Sequence, residues 1–190
     1  MQMKKLKITF NSPVILCFAL LSLIALLLGI ITKGASTTAL FSTYRSDLKS
    51  PLTYIRLFTY ALGHSGWEHF IGNMSYILLL GPALEEKFGS VKTLIVILVT
   101  ALITGIVNSL FFPSVSLCGA SGIVFAFIIM TSFTGFKDGE IPLTFILVAV
   151  IFIGQQIIEG VFLNDNISNT AHIVGGIVGA AIGYIWNRKQ

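Results

Sequence analysis

The sequence predicts an all-α, polytopic membrane protein with six transmembrane helices and an interfacial loop between the first two. Three observations carry that prediction. Apolar residues make up 55% of the 190 and charged residues only 11%, with a mean hydropathy of +0.90, far from the balance of a water-soluble domain. Apolar runs of close to 20 residues recur along the chain, the length a helix needs to cross a hydrocarbon core about 30 Å thick. Charged residues and turn formers fall between those runs and seldom inside them. Too little remains outside the runs to build a separate soluble domain, so residues 1–190 read as one membrane domain.

Span one covers about 12–32. The preceding segment 1–11 carries Lys4, Lys5 and Lys7. That basic flank also suits a signal peptide, but the apolar run is long and no small-x-small cleavage site follows it, so the segment reads as a retained span. Lys33 and Gly34 close it. The stretch 33–63 contains Tyr44, Arg45, Pro51, Tyr54, Arg56 and Phe58; it is too polar to span and too aromatic for a loose tether, and reads as an outer loop partly embedded at the interface. Span two covers about 64–84 and stops at Glu85, Glu86, Lys87 and Gly89. Span three, about 91–111, stops before Pro113. Span four, about 118–136, stops at Lys137, Asp138 and Gly139. Span five covers about 141–163, residues 164–169 form the last loop, and span six covers about 171–187.

Charge sets the direction. With the N-terminus inside, Lys4, Lys5, Lys7, Lys87, Lys92, Lys137, Arg188 and Lys189 lie on the inner side, against Lys33, Arg45, Lys49 and Arg56 outside. An excess of Lys and Arg marks the cytoplasmic side, so both termini are expected in the cytoplasm of a multi-pass cell-membrane protein. The formal charge of +4 therefore reports topology. Its basic residues sit at segment ends and do not form an aromatic-laced face, which excludes a nucleic-acid partner. Cys17 and Cys118 fit neither a disulfide framework nor a CxxC pair. Three histidines without an HExxH motif, and without nearby thiolate or carboxylate ligands, give no metal site and no cofactor.

Spans two, four and six all run from outside to inside, which brings polar residues far apart in sequence to the same half of the membrane. His64, His69 and Asn73 begin span two, Ser121 begins span four, and His172 begins span six. Counting at about 1.5 Å per residue puts Ser121 and His172 at matching depth, each roughly 20 Å above the inner boundary. A serine nucleophile, a base for its proton and donors for an oxyanion are the parts of serine hydrolysis, and here each has a candidate. Ser121 is the nucleophile and His172 the base of a two-residue variant of the serine-histidine arrangement. Asp165, seven residues upstream in the loop, and Glu159, in span five, leave a third member open without indicating one. His69 and Asn73 are four apart and share a helix face, suited to donating to an oxyanion together with backbone N–H groups around Ser121, including that of Gly119. His64, five residues before His69, is expected to point elsewhere, in a structural or water-facing role. His172, Gly175, Gly176, Gly179 and Gly183 form a small-residue stripe that lets span six approach span four closely.

At these residues the chain resembles the rhomboid family of intramembrane serine proteases, over nearly its whole length and in the six-span form typical of bacteria. The motifs are His64-x4-His69-x3-Asn73, Gly119-Ala120-Ser121-Gly122 and Ala171-His172-x2-Gly175-x3-Gly179. The resemblance implies a rhomboid-like fold, Ser121 as nucleophile, His172 as general base, and His69, Asn73 and Gly119 around the oxyanion. It further implies cleavage of substrate transmembrane segments near their outer ends, with membrane lipid as surroundings and no metal or cofactor. Arg56 and Thr59 resemble the family's outer-loop pattern, and Glu85, Lys87 and Gly89 its inner turn, which makes Arg56, Glu85, Gly175 and Gly179 structural candidates. Two positions depart from the pattern: Ile55 stands where a Trp is frequent, and Phe125 stands where a Tyr often stacks on the catalytic imidazole.

Two other functions compete. A transporter should show internal repeats or paired broken helices, and none is seen, although Gln155, Gln156 and Glu159 on span five are polar enough for a pathway or for a water-filled cavity behind Ser121. A non-catalytic relative that binds membrane segments would keep the fold and lose the serine or the histidine, and this chain has both. Span five, with Gly154 and Gly160, and the segment after Asn164 are the candidate gate for a substrate helix. No feature of the sequence sets an oligomeric state.

Overall fold

The computed structural model describes residues 9–133, 141–162 and 169–187. Its elements are α1 (Pro13–Ile31), α2 (Ala35–Leu40), α3 (Pro51–Thr59) with a 3₁₀ turn at Tyr60–Leu62, α4 (Trp67–Phe88), α5 (Ser90–Phe111), α6 (Ser121–Ser132), α7 (Leu143–Phe162) and α8 (Asn169–Asn187). The described chain is helical, and its β-type pairing among those residues is one antiparallel bridge between Thr43 and Leu117. Among the described residues, two helices, α1 and α5, have the length and composition to cross a membrane. Leu20, Leu21, Ile24 and Ile31 of α1 and Ile95, Leu98 and Ile103 of α5 stand exposed on the outside of the bundle. Water would penalise so broad an apolar surface, whereas lipid does not.

The boundaries move for local reasons. Span two was expected to begin at His64 and to end before Glu85; α4 instead starts at Trp67 and runs through Glu85, Glu86 and Lys87 to Phe88. Its stop is Gly89, held at φ 85, a left-handed backbone that glycine adopts without strain. Span four was expected to begin at Cys118, but α6 starts at Ser121, and Cys118–Gly119–Ala120 form the approach to it. Span six was expected from Ala171, and α8 begins at Asn169, so this asparagine belongs to the helix and not to the loop. The outer loop 33–63 holds two short helices.

Helix α1 opens on Pro13, whose missing N–H is no loss at a first helical position. The preceding Ser12 makes no side-chain cap. Glu85 of α4 caps the helix instead. Its carboxylate accepts from the N–H groups of Val14 and Ile15, each at 3.1 Å, and from the Ser90 hydroxyl at 2.6 Å. The residue is 4% exposed, and the positive end of the α1 dipole favours an anion there.

At the centre lies α6, whose residues are buried nearly all round, from Gly122 to Met130. A helix apolar on every side belongs in the interior. With 12 residues it is only about 18 Å long, shorter than α1, α4, α5, α7 and α8. It packs most extensively against α8. A Cβ on Gly175 would run into the Gly122 carbonyl, and one on Gly179 into the Ala126 carbonyl. The two backbones are in direct contact.

Candidate functional site

The approach to Ser121 is pinned from three directions. Thr43 and Leu117 exchange backbone hydrogen bonds at 2.8 and 2.9 Å, and the Gly119 N–H donates to the Tyr60 carbonyl at 3.0 Å. The Asn108 amide donates to the Val115 carbonyl at 3.0 Å. The outer loop and α5 thus hold residues 115–119 in place just before the helix begins. Ala120 is the N-cap and Ser121 the first helical residue, where the earliest N–H groups have no intrahelical acceptor. Ser121 is half-buried at that start.

Gly119 has φ +124, in the left-handed region that glycine adopts without strain, and a Cβ there would lie 2.6 Å from His69 Nε2 and 3.5 Å from Asn73 Nδ2. The absence of a side chain lets both α4 residues reach the approach to Ser121. Because the Gly119 N–H is already given to Tyr60, this residue contributes room and not a donor, a correction to its expected part among the backbone N–H groups. Asn73 is buried, and its Nδ2 has no hydrogen-bond partner within the protein. His69 Nδ1 lies 3.2 Å from the Ser65 hydroxyl and 3.5 Å from the Ser65 N–H. A backbone N–H only donates, so this contact assigns the lone pair to Nδ1 and the proton to Nε2. Two N–H donors from α4 therefore converge beside Gly119.

His172 lies on the first turn of α8, and its ring stacks on Phe125 with centroids 4.5 Å apart and planes 6° from parallel. Phe125 is one turn after Ser121 on the same face of α6, and Phe152 of α7 backs it edge-on at 5.6 Å. The neighbouring Ala171 carbonyl lies 3.2 Å from where a Gly122 Cβ would be. Ser121 and His172 are therefore held on facing first turns of two helices in backbone contact. Gly175 and Gly179 sit in that contact.

His64 departs from expectation. It precedes the helix, so the angular arithmetic that turned it away from His69 does not apply. Its ring is 2% exposed and meets His69 edge-on at 5.0 Å and Phe70 at 5.4 Å. Burial, reinforced by the neighbouring His69 and opposed by the Leu62 carbonyl, pushes its pKa down to about 4. Cys118, three residues before Ser121, is half-buried, and burial pushes its thiol up against a partial opposing effect of Ser42, which keeps it a poor nucleophile.

Farther out, Arg56 donates from Nε to the Ala39 carbonyl at 2.8 Å and lies over the Tyr44 ring at 4.7 Å. Thr59 donates to the Leu40 carbonyl. These bonds tie α3 to the end of α2 without the tryptophan missing at Ile55. Glu85 lies at the opposite end of the bundle, capping α1. The inner basic residues 4, 5, 7, 137, 188 and 189 lie outside the described residues, as do Asn164 and Asp165 and the loop expected to help gate the site; of the side chains of Gln156 and Glu159 nothing is described. A Cβ on Gly154 would meet open space. Among the described residues no group of three or more His, Cys, Asp or Glu is arranged to hold a metal ion.

Four contributors escaped the sequence reading: Thr43, Tyr60, Ser65 and Asn108. Only two left a signal. Asn108 is an amide in an apolar helix, and Ser65 stands four residues before His69. The parts played by Thr43 and Tyr60 are carried by their backbones, which no side chain announces.

The fold and site define a helical membrane protein with a half-buried serine at the start of its central helix and a histidine ring packed on that helix's face. Residues 51–189 match the Rhomboid domain. Rhomboid-related protein 2 of Mus musculus is 33% identical over 158 residues, a match covering 72% of this chain and 52% of that protein. The chain belongs to the rhomboid family, and it spans about half the length of that curated relative.

Proposed function

We propose that the protein is an intramembrane serine endopeptidase that cleaves transmembrane segments of other proteins near their outer ends. What supports this reading is that Ser121 starts the helix on whose Phe125 the His172 imidazole stacks, and that the unpartnered Asn73 amide lies beside Gly119, two residues before Ser121. In this mechanism Ser121 Oγ attacks the scissile carbonyl while His172 takes its proton and later gives it to the leaving amine. The oxyanion receives the Asn73 Nδ2–H, the His69 Nε2–H and the Ser121 backbone N–H. Water then hydrolyses the acyl-enzyme, with His172 again as base. No metal or cofactor enters.

The architecture that goes with this function is a single domain over 1–190 in which α1, α4, α5, α6, α7 and α8 are the six spans, α2 and α3 lie in the outer loop, and both termini are cytoplasmic. The short α6 then starts about 10 Å below the outer surface of a 30 Å core, so the outward opening above it admits water. A substrate helix enters sideways and unwinds locally before its carbonyl reaches Ser121. The α7 helix is the proposed gate. Cross-linking α7 to α4 should stop cleavage, and unimpaired cleavage would exclude that route.

The deciding experiment is cleavage of a model single-span substrate in lipid vesicles by the intact protein, Ser121→Ala and His172→Ala. Cleavage by the intact protein alone supports the serine-histidine mechanism. A folded intact protein that binds several such substrates and cuts none would make it a non-catalytic rhomboid that binds membrane segments.

A further inference from the structure

The neutral imidazole of His69 has two ring orientations, related by a half-turn about the Cβ–Cγ bond, and two tautomers in each. One of these four states suits an oxyanion donor. The ring edge facing Gly119 is Nε2–Cε1, since a Cβ on Gly119 would lie 2.6 Å from the first atom and 2.7 Å from the second. A half-turn exchanges Nε2 with Cε1 and Nδ1 with Cδ2, so a C–H takes the place of the N–H. A proton on Nδ1 in place of Nε2 turns the donor into a lone pair, which repels an oxyanion. Helix geometry does not choose among these states, because the ring torsion of histidine is broad and roughly two-fold.

Ser65 makes the choice. It stands just before Gly66, the N-cap of α4, and brings two donors to one ring atom: its hydroxyl lies 3.2 Å from His69 Nδ1, and its backbone N–H 3.5 Å from the same nitrogen. The two act differently. The N–H only donates, so it rejects the tautomer with a proton on Nδ1. The hydroxyl rotates to donate or accept and tolerates either tautomer, but it rejects the half-turned ring, whose Cδ2 offers no lone pair. Together they leave the state with the lone pair on Nδ1 and the N–H at Gly119. His64 does not compete for Nδ1. Its ring meets His69 edge-on at 5.0 Å, its own Nδ1 is engaged by the Leu62 carbonyl at 3.1 Å, and its Nε2 has no partner in the protein.

We propose that Ser65 is a positioning residue for cleavage: it clamps His69 in the single ring orientation and tautomer that presents Nε2–H to the oxyanion. This inference rests on the proposed serine mechanism and deepens it. Ser65 touches neither substrate nor Ser121 and acts through the His69 ring alone. It is exposed, so its side chain contributes little to packing and folding is not at stake when it is changed. Asn73 Nδ2–H and the Ser121 N–H still serve the oxyanion when the clamp is lost, so the loss of rate is partial.

The test has a spectroscopic arm and a kinetic arm. In the first, Ser121→Ala protein carrying ¹⁵N-labelled histidine is placed in detergent micelles, and the ring nitrogens of the three histidines are assigned by substituting each in turn. With Ser65 present, His69 should show one protonated nitrogen, Nε2. Ser65→Ala should give a mixture of tautomers, and Ser65→Thr, which keeps the hydroxyl, should restore the single form. In the second arm, vesicle cleavage by otherwise intact protein should show kcat about fivefold lower in Ser65→Ala, the worth of one neutral hydrogen bond, with KM unchanged and Ser65→Thr close to the parent. An unchanged His69 spectrum in Ser65→Ala would overturn the clamp and mean that water or the backbone N–H alone holds the ring. A shifted tautomer with unchanged kcat, or a rise in KM at constant kcat, would overturn its part in the reaction. The spectrum needs no catalysis, so failure of the clamp and failure of the protease reading are separable.

Discussion

The Asn73 amide is buried without an internal partner, so removing it breaks no hydrogen bond of the resting protein. Asn73→Ala should therefore keep the fold while lowering kcat by about 10²-fold with little change in KM, the mark of a donor used only in the transition state; an equal rise in KM at constant kcat would assign the amide to ground-state binding. His64 behaves differently. Its pKa is pushed down to about 4 from the ordinary 6.5, so between those values the unfolded chain takes up a proton that the folded one refuses. Stability should hold above pH 6.5, fall by up to about 1.4 kcal/mol per pH unit on acidification toward 4, and flatten below. Thermal unfolding in detergent at stepped pH should show that fall, and His64→Gln should make it shallower; an unchanged slope would place the proton uptake elsewhere. Ser121, His172, His69 and Asn73 were legible in the sequence because ionisable or polar side chains inside apolar runs have few other reasons to be there. The contact of His64 with His69 was not, because it depends on where α4 begins, and the non-helical residues 64–66 re-aim a ring that helical spacing would have turned away.

Helix α1 shows how one side chain fixes an element. Its first N–H groups rely on Glu85, which reaches across from α4 and also accepts from Ser90, joining α1, α4 and the start of α5 at one carboxylate. Glu85→Ala should lower stability by about 3 kcal/mol, since bonds to a buried charged acceptor are lost and the N–H groups of Val14 and Ile15 are left without a partner. Glu85→Gln keeps one acceptor oxygen and should lose about half as much. Unfolding in detergent compares them; a neutral Glu85→Ala would mean that water caps α1 equally well. Hydrophobic run length located α1, α5, α7 and α8 to within a few residues, because apolar composition and helix length are tied together by the bilayer. It misjudged both ends of α4 and the start of α6. At those places the terminus is decided by backbone conformation at Gly89 and by the hydrogen bonds of residues 115–119, not by hydropathy. The helices within the outer loop were hidden for a related reason: α2 and α3 are 6 and 9 residues long, too short for an apolar period to declare itself.

Across the whole molecule, the contact of α6 with α8 sets the geometry of the site. Lipid supplies no hydrophobic drive between helices, so close backbone packing must hold them, and the glycine spacing made this pairing legible from sequence alone. The glycines are not equivalent. Gly175 faces the Gly122 carbonyl, one turn from both Ser121 and His172, whereas Gly179 faces the Ala126 carbonyl one turn farther in. A Cβ at Gly183 meets the Phe133 ring, a side chain able to shift, and one at Gly176 finds Ile129 at 3.7 Å, an ordinary contact. Alanine at these positions should therefore separate stability from catalysis. Gly175→Ala and Gly179→Ala should both destabilise, because each forces two backbones apart. Gly175→Ala should also lower kcat by about 10²-fold, the cost of misplacing reacting groups by about 1 Å. Gly179→Ala, acting below the site, should lose several-fold less activity at equal loss of stability. Gly183→Ala should be mild and Gly176→Ala close to neutral in both. Unfolding midpoints and vesicle cleavage measured on the four variants decide the matter. If kcat follows stability alone, with Gly175→Ala and Gly179→Ala alike, the interface is a uniform clamp, and the alignment of Ser121 with His172 is set by the loop that precedes α6.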